Sequence, residues 1–117
     1  MLNFKQLKIW QKGFDIAANV FRLVTAFPQR EQFGLALQLT RAAVSISSNI
    51  AEGSSRSSNK ECRRFLEIAL GSTFEVEMQL LIAKRLTFGD EALIEFLLQE
   101  IDEEQKMLIS YMNKIAG

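Results

Sequence analysis

Four long stretches with apolar residues at helical spacing, parted only by short breaks, constrain this chain more than any other feature. Between Lys5 and Phe27, the residues Leu7, Trp10, Phe14, Ala17, Phe21 and Val24 step by alternating threes and fours, as in a bundle seam. A second row, Ile9, Ile16, Val20, Leu23 and Phe27, lies beside it, and Pro28 ends the helix. A second helix is predicted from Gly34 to Gly53, with Leu35, Leu39, Ala42, Ile46 and Ile50 inward. Leu37, Val44 and Ala51 form a thin apolar line on its other side. Gly53 suits the left-handed position after a helix, and Ser58 with Glu61 is a capping box opening the next one.

The third helix is expected from Asn59 to Phe88. Cys62, Phe65, Leu66, Ala69, Thr73, Val76, Leu80 and Ala83 share one face, while Leu70, Phe74, Met78, Leu81 and Ile82 cover much of the rest. Asp90 is a good N-cap for a fourth helix, where Ile94, Leu97, Ile101, Leu108, Met112 and Ile115 keep a seven-residue rhythm. One proline, six glycines and few Val or Thr leave strands little support. The short connections favour antiparallel neighbours. The expectation is an all-α, up-down-up-down four-helix bundle forming one domain over residues 1–117.

The segment Arg41-Ala-Ala-Val-Ser-Ile-Ser-Ser-Asn-Ile-Ala-Glu-Gly53 carries few large side chains and many small hydroxyls, so neighbouring backbones can approach closely. Helical spacing places Gln38, Arg41, Ser45, Ser48 and Glu52 along one flank of the second helix, with Asn49 at its edge, and Glu61, Arg64, Ser72, Glu75 and Gln79 along the third. If the two fold back around residues 57–58, Arg41 comes level with Glu75, Ser45 with Ser72 and Glu52 with Arg64. That polar seam is expected to set helix register rather than to catalyse, because each carboxylate is offered a basic neighbour that keeps it ionised. The third helix has more apolar surface than three partners can cover, which predicts a homo-oligomer.

Net charge is zero but unevenly spread. Residues 1–64 hold ten bases against four acids, leaving +6, and residues 65–117 hold four against ten, leaving −6. An up-down bundle gathers Lys5, Lys8, Lys12, Arg56, Lys60, Arg63, Arg64 and Lys114 at one pole. Lys60, Arg63 and Arg64 open a helix, where the dipole disfavours positive charge, so a phosphate backbone is a candidate partner. The first seven of these are the candidate nucleic-acid-binding residues. Most of the nine Phe lie on core-spaced positions, so readout of bases is not expected.

The chain has no His, one Cys, and no Gly-rich phosphate loop, paired-Cys zinc motif or EF-hand loop. No catalytic residue, cofactor or metal is expected, and Cys62 reads as a small core residue. The start, Met1-Leu-Asn-Phe-Lys-Gln-Leu-Lys, lacks the apolar stretch of a signal peptide, and a lone cysteine suits a reducing compartment. A cytoplasmic, non-membrane protein is therefore expected.

Several motifs add a resemblance. These are Phe4-x-x-Leu7-x-x-Trp10-Gln11, Phe27-Pro28-x-x-Glu31-x-Phe33-Gly34-Leu35, and Gln38-x-x-Arg41-Ala42-Ala43-x-Ser45-Ile46-x-x-Asn49-Ile50-Ala51-Glu52-Gly53. With Phe65-Leu66-x-Ile68-Ala69-x-Gly71-Ser72-x-x-Glu75, they resemble the four-helix-bundle proteins encoded in intervening sequences of bacterial 23S ribosomal RNA genes. The resemblance implies a bundle that assembles into a ring, with five subunits, and no established enzymatic activity. It also implies a distant similarity to the accessory proteins of diversity-generating retroelements, ring-forming partners of a reverse transcriptase associated with nucleic acid. RNA or DNA contact through the basic pole is one expectation, and a protein-interaction scaffold without nucleic-acid binding is the alternative.

Overall fold

The computed structural model describes residues 3–115; the outermost two residues at each end of the expected 1–117 domain lie outside them. Four α-helices follow one another: α1 (Lys8–Val24), α2 (Leu35–Ser54), α3 (Asn59–Arg85) and α4 (Glu91–Ile115). Each packs on its sequence neighbour, α1 also packs on α4, and the backbones of diagonal helices stand farther apart, which is the antiparallel up-down-up-down arrangement. The bundle measures 45 × 23 × 20 Å.

Helix ends follow their local chemistry. Asn3 caps a single 3-10 turn, Phe4–Gln6, by accepting from the Lys5 amide at 3.1 Å. Leu7 is extended, so α1 starts three residues later than the apolar spacing implies. At its other end, the Gln32 side chain donates to the Val24 and Phe27 carbonyls at 3.2 and 3.1 Å, satisfying acceptors left over at the helix terminus. The Ser58 hydroxyl accepts from the Glu61 amide at 3.2 Å and starts α3. Asp90 accepts from the Ala92 amide at 3.1 Å and starts α4.

The core is built from Ile16, Val20 and Leu23 of α1, Leu39, Ile46 and Ile50 of α2, Leu66, Val76 and Leu80 of α3, and Ile94, Leu97, Ile101 and Leu108 of α4. Each such side chain contributes about 1.5–3 kcal/mol through removal from water. On α1 the two apolar rows share the core unequally. The Ile9–Phe27 row is buried throughout, whereas of the expected seam row Ala17 and Val24 are buried but Phe14 and Phe21 are about half exposed. Trp10 and Phe14 stack at 4.9 Å beside Phe4, forming an aromatic edge instead of a core seam.

Gly53 also differs from expectation. It is not a left-handed terminator but a buried residue inside α2, where the missing side chain lets α2 approach α3. A Cβ there would lie 3.1 Å from the Cys62 carbonyl oxygen and 3.1 Å from Phe65 Cβ. The left-handed positions among the described residues are Thr87 and Gly89, in the α3–α4 turn.

Candidate nucleic-acid interface

The antiparallel order brings the start of α1, the end of α2, the start of α3 and the end of α4 to one pole. One contact ties two of these ends together directly: the Arg63 guanidinium donates to the Met112 carbonyl at 2.6 Å. Arg63 is half-buried and satisfies an acceptor in the last turn of α4, so it is occupied in holding two helix ends. Its neighbour Arg64 is exposed.

The seven basic candidates therefore separate into two groups. Lys12 reaches from α1 to α4 and is held by Glu100 at 3.1 Å and Glu103 at 2.9 Å. Burial lowers its pKa, but the two hydrogen-bonded carboxylates outweigh that and raise it above the ordinary lysine value. Arg56 pairs with Glu52 at 2.8 Å and lies over the Phe65 ring at 4.6 Å. With Arg63, these are engaged within the protomer. Lys5, Lys8, Lys60 and Arg64 are exposed, and among the described residues no carboxylate lies within 4 Å of them.

Replacing Arg63 by Ala is expected to cost about 2 kcal/mol, because a charge-assisted bond is lost and a helix-end carbonyl is orphaned. Arg64→Ala should stay within about 0.5 kcal/mol of the parent. Thermal melts of the two variants decide this; equal midpoints would remove the structural role of Arg63.

The polar seam between α2 and α3 is present in its neutral part only. Ser72 donates to the Ser45 hydroxyl at 2.8 Å, and Asn49 donates to the Ser45 carbonyl and hydroxyl at 2.8 and 2.9 Å. Arg41 and Glu75 line one shallow groove of about 320 Å³ with Gln38 and Gln79 but make no ion pair. The expected Glu52–Arg64 pair is also absent among the described residues. Glu52 turns instead to Arg56, one helical turn on, whose guanidinium the Phe65 ring already holds in place.

Sequence reasoning missed Glu104. It is fully buried, and neither carboxyl oxygen has a hydrogen-bond partner. Gly13 makes the room: a Cβ there would lie 3.0 Å from Glu104 Oε2 and 3.1 Å from Ile46 Cγ2. Burial raises the Glu104 pKa to about 8, with Lys12 pulling it down and Glu100 pushing it up. A neutral carboxyl is therefore its state at neutral pH. Cys62 is half-buried, and burial raises its thiol pKa, so it stays an unreactive thiol. Among the described residues no three His, Cys, Asp or Glu side chains are grouped to hold a metal ion, and no helix is long and apolar enough to cross a membrane.

Residues 5–110 match the sequence profile of the 23S rRNA-intervening sequence protein family. The chain belongs to that family. Among solved structures, a protein of unknown function from the S23 ribosomal protein family of Bacteroides thetaiotaomicron superposes with a TM-score of 0.79. It is 23% identical, and the match covers 89% of this chain and 97% of that one. At that identity the likeness speaks for the shared bundle. No curated protein sequence matches this chain.

Proposed function

We propose that this protein is a non-enzymatic, self-assembling bundle that contacts the phosphates of RNA or DNA through its basic pole. The observation that carries the reading is the set of four exposed, unpaired cations, Lys5, Lys8, Lys60 and Arg64, gathered at one end of a molecule with zero net charge. Lys60 and Arg64 stand in the first turns of α3, where the helix dipole opposes them, so an external anion would relieve rather than add to local strain. Self-assembly is supported by the α3 residues Phe74, Met78 and Leu81, each about half exposed and one or two turns apart. A closed ring, with five subunits as the family resemblance implies, would repeat the pole around an axis and multiply its field.

The same apolar surface favours a second reading, a scaffold that binds another protein and ignores nucleic acid. Light scattering followed by RNA titration on one sample separates the two. The first reading expects a mass several times the 13.3 kDa protomer and binding that weakens steeply with salt. Lys60→Glu/Arg64→Glu should cut RNA affinity at least tenfold and reduce the salt slope by about two, without changing the assembled mass. Arg63 is left intact in this variant because it holds α4. An assembly that ignores RNA at low salt would put the scaffold reading first.

A further inference from the structure

Beside the pole cations, a cleft of about 450 Å³ runs between the start of α1 and the end of α4. Its floor is apolar, with Leu7, Met107 and the half-buried ring of Tyr111, and its rim carries Lys8, Lys106 and Lys114. Among the described residues no carboxylate lines it. Asp102 meets Lys106 at 3.0 Å from one turn back on α4, outside the cleft, and both side chains are largely exposed. Lys106 and Lys114 are eight residues apart on α4, so their backbones stand about 12 Å apart along the axis. Lys8 faces them from the other wall. The volume is that of a small-ligand site, with a nonpolar bed and a few charges at its edge.

We infer that this cleft is a single-strand site, which seats one base of a single-stranded nucleic acid against Met107 and Tyr111 and the flanking phosphates on Lys8, Lys106 and Lys114. The inference rests on the proposed nucleic-acid reading and sharpens it, because it adds a base-contacting element to a pole that otherwise offers charge alone. A flat apolar bed rimmed by cations is the arrangement that single strands use, since every base has a face to stack and every linkage a charge. A duplex keeps its bases paired and stacked internally, so it cannot place one on this floor. Stacking of this kind tolerates any sequence.

The test uses the full chain, a labelled twelve-residue oligouridine, and inorganic polyphosphate as a polyanion without bases. Lys106→Glu/Lys114→Glu, which leaves the four pole cations in place, should weaken oligouridine at least tenfold. Tyr111→Leu should weaken oligouridine roughly tenfold and leave polyphosphate affinity unchanged, whereas Tyr111→Phe should retain both. Melting curves accompany each variant; if Tyr111→Leu does not fold, the exposed-lysine pair carries the test. Loss of binding in Lys60→Glu/Arg64→Glu, with both cleft variants binding normally, would overturn the cleft and keep the pole. Equal weakening of polyphosphate and oligouridine by Tyr111→Leu would overturn the base contact. Failure of the unaltered protein to bind either probe would overturn the pole and the cleft together.

Discussion

Between pH 5 and pH 9 the protein is expected to lose on the order of 4 kcal/mol of folding stability through one residue, and Glu104→Gln should abolish that loss. In the unfolded chain the Glu104 carboxyl ionises near its ordinary value of 4.5, whereas in the bundle burial raises this to about 8. Below pH 4.5 both states keep the proton, and the stability is fully present. From 4.5 to 8 only the folded state keeps it, so every pH unit favours unfolding by about 1.4 kcal/mol. Above 8 the folded state ionises too, and the loss levels off. Lys12 softens the effect by attracting the carboxylate, and Glu100 sharpens it. Thermal melts at intervals from pH 5 to pH 9 measure the slope. The glutamine leaves a buried amide, so its absolute midpoint at pH 5 can lie below that of the parent; the difference in slope is the readout. Parallel pH profiles for the two proteins would show that Glu104 is already ionised, or solvated, in the native bundle.

Glu104 also shows that helical spacing carries burial even for a charged residue. The row Ile94, Leu97, Ile101, Leu108 has a gap, and Glu104 fills it at the bundle spacing of three and four. Its burial was therefore legible as a charged residue standing on a core position. The four helices, the capping serine and the cap at Asp90 were legible for a related reason, since each depends on residues three or four apart on one element. What the spacing could not resolve is rotation between elements. Two apolar rows on α1 satisfy the same periodicity, and in the packed bundle Gly13 faces Glu104 and Ile46, with Ile16 and Val20 inward and Phe14 and Phe21 about half exposed. The basic pole behaves alike. Topology places seven candidate cations at one end, but the lateral contacts of Lys12 with α4, Arg56 with Phe65 and Arg63 with Met112 depend on side-chain reach across helices. The role of Tyr111 was not legible because its floor is shared with Leu7, an extended residue ahead of α1 that the apolar pattern reads as helix.

Leucine at position 53 is expected to cost about 3 kcal/mol, while alanine at position 71 should add about 1 kcal/mol, although both replace a glycine within a long helix. A helical glycine gives up backbone entropy that alanine does not, so by propensity either replacement should help. Gly71 lies exposed on α3 with nothing within 4 Å of a new Cβ, and there propensity alone decides. Gly53 is buried where α2 leans on α3. A Cβ would meet the Cys62 carbonyl oxygen, which belongs to the α3 backbone and cannot swing away as a side chain can. Leucine extends the clash by three further carbons and must push the two helices apart. That movement would also open the Ser45–Ser72 hydrogen bond farther along the same seam. Urea unfolding at one fixed pH measures both variants against the parent, so that the Glu104 titration contributes equally to all three. Unchanged stability in Gly53→Leu would mean that α3 shifts along α2 at little cost. The small-residue surface of α2 would then be a sliding contact, not the fixed close approach on which the register of the bundle depends.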